Sequence, residues 1–259
     1  MEEVLYSAAG RVAAITLNRP DDENRMTPAV LERLGAIADA LAADAETQVV
    51  IISGAGDKFF SAGMLHPKVR VTLGKDQILG IVRLANAVFD KLEALPQITI
   101  AALNGVTRAG AAELTLACDL RLAAAHATWG VPEAKWGGFP GAGGPVRLPG
   151  IVGRARALEL ICAARELSAA EMERFGLTLQ TTTAENLLPA ARELAARIAA
   201  CGPLAIRGAK RIVNTRAESG FRAARELSDR LRYALEDTHD LKEGTAALLE
   251  GRAPKFTGK

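Results

Sequence analysis

The chain is poor in the residues that build metal centres and disulfide frameworks. Its three cysteines, Cys118, Cys162 and Cys201, are odd in number and no two lie close in sequence. That argues against a disulfide scaffold or zinc ribbon and makes a reducing compartment the default. Histidine is equally scarce. His66, His126 and His239 are the whole supply, and none sits beside an obvious nucleophile, so a histidine-based triad has little to draw on. There is no P-loop string, no Gly-x-Ser-x-Gly elbow and no His-Glu-x-x-His, which removes the commonest signatures of NTPases, α/β-hydrolases and zinc proteases. Charge of one sign is also missing. The 32 Lys and Arg residues face 30 Asp and Glu, for a formal net charge of +2, so no global field recruits nucleic acid or an anionic membrane. No apolar run reaches the roughly 18 residues a membrane span needs. The opening Met-Glu-Glu-Val has neither a basic nor an apolar leader character. No secretory signal is expected, and the expected location is cytoplasmic.

What is present is a soluble globular composition: 259 residues, 49% hydrophobic and 24% charged, enough to bury a full core without staples. Val4 to Leu17 reads as a hairpin turning through Ser7-Ala8-Ala9-Gly10. Thr27-Pro28 is a helix start, a hydroxyl N-cap followed by proline, and Val30, Leu31, Leu34, Ile37, Ala38 and Leu41 supply its apolar face. Val49-Val50-Ile51-Ile52 is a buried strand. A second helix is predicted over about 76–95, ended by Pro96. A strand over 98–103 follows, and then a short helix from about Gly110. This alternation predicts an α/β fold with largely parallel pairing. From about Ala184 the sequence turns to Ala, Leu, Arg and Glu with helix periodicity, breaking near Gly202-Pro203, Ser219-Gly220 and Asp237 to Asp240. The division expected is a core over 1–195 and a helical region over 196–259.

Two strand-to-helix passages carry the chemistry. One runs Ile51-Ile52-Ser53-Gly54-Ala55-Gly56-Asp57-Lys58-Phe59-Phe60-Ser61-Ala62-Gly63-Met64. The other runs Asn104-Gly105-Val106-Thr107-Arg108-Ala109-Gly110-Ala111-Ala112-Glu113-Leu114. Gly54-Ala55-Gly56 lacks the third glycine of a dinucleotide fingerprint. Loops this rich in Gly and Ala let a ligand approach the main chain, where free N–H groups donate to an anionic oxygen. A helix starting near Gly110 leaves that N–H without an intrahelical partner at the positive end of the dipole. Glu113 follows three residues on, on the same face. A second carboxylate, Glu133, lies in Trp129-Gly130-Val131-Pro132-Glu133, read as a rigid extended turn. The small-residue loop Pro140-Gly141-Ala142-Gly143-Gly144 then opens another helix. Taken alone, such bends serve packing in many α/β proteins, and an isolated Glu in a first turn is usually a surface residue.

These passages, in this order and spacing, resemble the enoyl-CoA hydratase/isomerase (crotonase) family. The likeness runs from Leu17-Asn18-Arg19-Pro20 to Gly251-Arg252-Ala253-Pro254-Lys255-Phe256. The resemblance implies a crotonase-like spiral of β-β-α turns with a C-terminal helical region, assembled as a homotrimer or dimer of trimers. It implies an acyl-CoA thioester substrate, with CoA entering as part of that substrate and no metal or redox cofactor. The backbone N–H groups of Met64 and Gly110 match the family's oxyanion hole, and Glu113 and Glu133 match the two catalytic glutamates of the hydratases. Ala62, Gly63, Leu65, His66, Pro132, Gly141 and Lys255 are the implied substrate-binding positions, Lys255 reaching CoA phosphates, in some relatives across a subunit boundary.

The chain departs from the pattern at Ala62-Gly63-Met64-Leu65-His66, where hydratases carry Ala-Gly-Ala-Asp-Ile or similar, and at Ala109-Gly110-Ala111, which keeps one glycine of three. Arg108 is expected to meet an acidic substrate group or make an ion pair. His66 is expected near the place where CoA enters, with an acid–base role as the alternative. Trp136 and Phe139 are candidate acyl-pocket residues, against a core reading. The expected activity is enoyl-CoA hydration. Double-bond isomerisation, thioester hydrolysis and carbon–carbon cleavage are the alternatives within the family. A different class, RNA binding, rests on eight basic against three acidic residues between Pro203 and Arg232, but no aromatic platform interleaves them.

Overall fold

A computed structural model describes residues 2–259. Its N-terminal hairpin pairs β1 (Val4–Ala9) with β2 (Val12–Leu17), antiparallel, with Ala9 opposite Val12. The turn is therefore the two residues Gly10 and Arg11, not the longer segment expected. Gly10 takes the positive φ of 57° that the reversal needs. β2 alternates half-buried and buried side chains, since helices cover one face more completely than the other. Next come α1 (Pro28–Ala43), capped as predicted by Thr27 Oγ1 accepting from the Val30 N–H, and β3 (Val49–Gly54), buried at every position.

The expected β-β-α spiral then unfolds in three turns. The first is β3, β4 (Phe59–Ser61) and the helices α2 (Pro67–Arg70) and α3 (Lys75–Glu93). The second is β5 (Ile98–Leu103), β6 (Val106–Arg108) and α4 (Gly110–Leu116). The third is β7 (Leu120–Ala124), β8 (Thr128–Gly130) and a 3-10 helix over Pro132–Trp136. Glu133 thus sits on a helical turn, not an extended one, because Pro132 at its first position pre-sets the φ of a helix. After α5 (Gly144–Val152) and α6 (Arg154–Cys162) come β9 (Leu167–Ser168), α7 (Ala169–Arg174), β10 (Gln180–Thr182) and α8 (Leu187–Ala199). The long strands form one sheet in the order β1-β2-β3-β5-β7-β10. The short ones form a second, β4-β6-β8-β9. Pairing is parallel from β2 through β10 in the first sheet and along β4-β6-β8 in the second.

Each turn of the spiral passes from the large sheet to the small one through a tight bend, and the bends lock onto each other. Asn104 Oδ1 accepts from the Gly54 N–H at 2.9 Å, and its Nδ2 donates to Gly56 O at 2.8 Å. His126 Nε2 lies 2.7 Å from Asp57 O and 3.1 Å from Asn104 O, so it binds all three bends as an N–H donor to carbonyls. A Cβ at Gly105 would stand 2.3 Å from Lys58 O, so only glycine allows adjacent bends this close. The bends fix where β4 and β6 begin, and the candidate site lies just beyond the far ends of these two short strands.

The C-terminal helices are α9 (Pro203–Glu236) and α10 (His239–Glu250). The break expected at Ser219-Gly220 is present inside α9 as Gly220, whose φ of 86° and ψ of −177° interrupt the helix. Four of the eight basic residues counted there are engaged within the chain. Lys210 is buried and its Nζ donates to Asp119 Oδ2 at 2.7 Å and Gln97 O at 2.9 Å. Arg207 donates to Ala45 O, Arg225 lies over the Phe221 ring, and Arg232 pairs with Glu236. Asp119 also accepts from Thr99, so one buried ion pair ties α9 to the sheet. Among the described residues no helix is long and apolar enough to cross a membrane.

Candidate active site

Met64 follows the end of β4. Gly63 precedes it with φ of 89°, a conformation that favours glycine. A Cβ there would also lie 2.8 Å from Arg108 O and 3.1 Å from the Gly110 nitrogen. The loop after β4 therefore runs directly against the turn after β6. Gly110 opens α4, and the residue before it, Ala109, is held at φ 52° and ψ −130°. An alanine in that region stores roughly 1–3 kcal/mol of strain. Ala109 is pinned by its N–H to Gly130 O at 3.0 Å and by its carbonyl accepting from the Glu113 N–H at 3.1 Å. Neither the Met64 nor the Gly110 N–H donates to a protein acceptor among the described residues. Both are left on the wall of a cavity of about 420 Å³. The Met64 side chain lies across Gly110, so that a Cβ on Gly110 would meet Met64 Cε at 2.3 Å.

Glu113 lies one turn into α4, a helix buried at every residue, and is only 2% exposed. It is not the surface residue that an isolated first-turn Glu usually is. Its Oε1 accepts from the Ala142 and Gly144 N–H groups, both at 2.8 Å. The loop Pro140 to Gly144 was legible as a small-residue turn. Its work as a clamp on the carboxylate was not, because no sequence pattern links positions 29 and 31 residues apart. Burial pushes the Glu113 carboxyl up to about 8, with the neighbouring Glu133 charge adding to the rise and the two N–H donors and Arg147 opposing it. Glu133, on the 3-10 turn, lines the same cavity. Burial pushes it to about 7, its own backbone N–H being the opposing influence. Its Oε2 is buried with no hydrogen-bond partner. Two carboxyls with raised pKa values lining one space can give and take a proton near neutral pH.

The cavity wall is apolar: Leu65, Ile78, Leu79, Val82, Trp136 and Phe139 face it, and Gly141 lines it as well. Trp136 and Phe139 are 49% and 70% exposed, so the core reading fails for both. They stand at the cavity mouth because no element covers the turn after the 3-10 helix. A second groove, about 370 Å³, shares Leu65, Ala109 and Trp136 with the cavity and adds Ala62, His66, Pro132 and Lys135. Arg108 lines that groove and pairs with Glu166 at 2.7 Å, the ion-pair alternative of the two expected. Ala62, Gly63, Met64, Leu65, His66, Gly110, Glu113, Pro132, Glu133 and Gly141 are thus brought around one continuous cleft. Lys255 is not at this cleft within the chain. It lies beside His239, Glu243, Arg252 and Thr257, its backbone N–H donating to Glu243.

An α/β spiral with a long and a short sheet, followed by a C-terminal helical region, is the architecture of the crotonase fold. Comparison with known proteins gives the same answer: the chain belongs to the enoyl-CoA hydratase/isomerase family, whose model matches residues 7–259. An enoyl-CoA hydratase structure from Bacillus anthracis superimposes with a TM-score of 0.96 at 35% identity, each chain covered completely. YngF of Bacillus subtilis (strain 168), whose name carries the same family designation, is 38% identical, covering 99% of both chains. A crotonyl-CoA hydratase of Syntrophomonas wolfei is 33% identical, covering 100% of this chain and 99% of its own.

Proposed function

We propose that this protein is an enoyl-CoA hydratase that adds water across the 2,3 double bond of an acyl-CoA thioester, with Glu113 and Glu133 as its acid–base pair and the Met64 and Gly110 N–H groups as its oxyanion hole. The observation that carries the reading is the pair of buried carboxyls, raised to about 8 and about 7, lining one cavity. Two carboxyls this close to neutrality, each costly to ionise, hold one proton between them at neutral pH.

The thioester oxygen lies against the two free N–H groups, and the acyl chain runs along the apolar wall. A water molecule held between the carboxyls attacks C3. The ionised carboxylate takes a proton from that water as the C–O bond forms. Electrons of the double bond move into the thioester, and the charge collects on its oxygen, where the two fixed donors stabilise it. Such donors are commonly worth several kcal/mol of barrier. The protonated carboxyl then delivers its proton to C2. The pair ends with one proton as it began, and the two members have exchanged it. The reaction needs neither metal nor redox cofactor, and CoA enters with the substrate.

Assembly as a homotrimer or dimer of trimers belongs to the same proposal. It is supported by large apolar side chains left exposed on the C-terminal helices, among them Val213, Tyr233, Leu248 and Leu249. Light scattering after gel filtration measures it.

The test is crotonyl-CoA hydration, followed by loss of the enoyl-thioester absorbance, in wild type and in Glu113→Gln and Glu133→Gln. Turnover in wild type with both variants reduced by at least about a hundredfold is expected. Wild-type turnover that survives either substitution refutes the two-carboxyl mechanism.

A further inference from the structure

Two of the arginines around the cavity are already paired. Arg147, beside Glu113, is taken by Asp90 and Glu93. Arg108, in the adjoining groove, is taken by Glu166. Arg70, the last residue of α2, lines the cavity itself with Ile78, Leu79 and Val82 of α3. Its guanidinium has no ion pair and no hydrogen bond among the described residues. Arg70 thus shares the α2–α3 side of the cavity with the apolar Ile78, Leu79 and Val82, whereas Glu113 and Glu133 come from α4 and the 3-10 helix.

We infer that Arg70 selects acyl chains ending in a carboxylate, so that the favoured substrates are 2-enoyl-CoA monothioesters of dicarboxylic acids. The inference rests on the hydratase reading for its orientation: thioester at Met64 and Gly110, C2 and C3 at the glutamates, chain end towards Arg70. The wall between offers methylene groups contact and offers a carboxylate nothing. A terminal carboxylate pressed against it is left costly unless a cation meets it. Guanidinium is the group best shaped to do so, through two parallel N–H donors. Arg70 is exposed, which keeps the expected preference modest, on the order of tenfold, since water screens the pair.

The experiment measures binding and turnover separately. Calorimetry gives the affinities of free CoA, butyryl-CoA and glutaryl-CoA, the last two being saturated thioesters that cannot react. The proteins are wild type, Arg70→Leu and Arg70→Lys. Glutaryl-CoA is expected to bind wild type about tenfold tighter than butyryl-CoA. The ratio is expected to fall to one or below in Arg70→Leu and to survive in part in Arg70→Lys. A wild type that prefers butyryl-CoA overturns the inference. So does an Arg70→Leu that weakens free CoA and both thioesters equally, which would assign Arg70 to the CoA phosphates. Turnover of glutaconyl-CoA against crotonyl-CoA tests the other half. If neither reacts while the binding preference holds, the hydratase reading falls and the assignment of Arg70 stands.

Discussion

Glu113 lets the cost of the site be measured without any substrate. Its carboxyl moves from an ordinary 4.5 to about 8 on folding. At about 1.4 kcal/mol for each tenfold change, ionising it in the folded protein at high pH costs roughly 5 kcal/mol more than in the unfolded chain. The direction follows from proton counting. Between pH 4.5 and 8 the folded state holds a proton that the unfolded state has released, so stability falls as pH rises through that window and levels off above it. Glu113→Gln removes the titration while keeping an oxygen for the Ala142 and Gly144 donors. Unfolding by urea, at one fixed protein concentration because assembly shifts apparent stability, is to be compared for the two proteins from pH 5 to pH 8. The variant is expected to gain on the wild type by about 1.4 kcal/mol per pH unit, or roughly 3 kcal/mol between pH 5 and pH 7, while losing its hydration activity. A stability difference that stays flat across that range would mean that Glu113 titrates like a surface carboxylate, and the proton-sharing pair would go with it.

Three further outcomes follow from the same geometry. The kcat/KM of the hydration reaction is expected to be a narrow bell: it falls below about 7, where both carboxyls are protonated and no base remains, and above about 8, where both are ionised and no acid remains. A plateau extending two pH units to either side contradicts the pairing. Ala109→Gly relieves the φ of 52°. It is expected to stabilise the fold by about 1 kcal/mol, the strain released less the entropy glycine adds to the unfolded chain, and thermal unfolding decides the sign. Lys210→Met leaves Asp119 without its buried cation. It is expected to cost about 3 kcal/mol and to open α9 to proteolysis before the sheet. Uniform resistance of α9 would show that its apolar contacts, not the ion pair, hold it.

Much of this arrangement was legible beforehand because it is written in local signals. Thr27-Pro28 caps a helix whatever surrounds it, and the β-branched run 49–52 reads as a buried strand. Ser219-Gly220 breaks the long terminal helix at the residue expected. The short sheet was not legible, since Phe59–Ser61, Val106–Arg108 and Thr128–Gly130 are three residues each, too few to show a period. The burial of Glu113 was also hidden. It depends on a loop about thirty residues away folding its N–H groups over the carboxylate. Trp136 and Phe139 read as core from their size and stand instead at a cavity mouth, a distinction that only the missing cover decides. The Gly110 N–H was legible from the helix start, whereas Met64 came from the family resemblance, since nothing in its loop singles out that N–H.

Backbone donors and side-chain acids constrain a sequence differently, and there is a physical reason for that. An oxyanion hole made of backbone N–H groups asks nothing of the side chains that carry it. Met64 supplies the same donor that alanine would, and Ala109 can stand before Gly110 as long as the surrounding hydrogen bonds hold its strained turn in place. The carboxyls have no such freedom, because each must be a carboxyl, buried, and within reach of the other. On the proposed mechanism, side chains around the donors can therefore change without disturbing the donors or the glutamates. Met64 lies over Gly110, and Arg70 adds a charge to an otherwise largely apolar cavity wall. On that reading a change in the substrate's tail is met by residues away from the reacting carbons, and the donors and acids need not move to accommodate it.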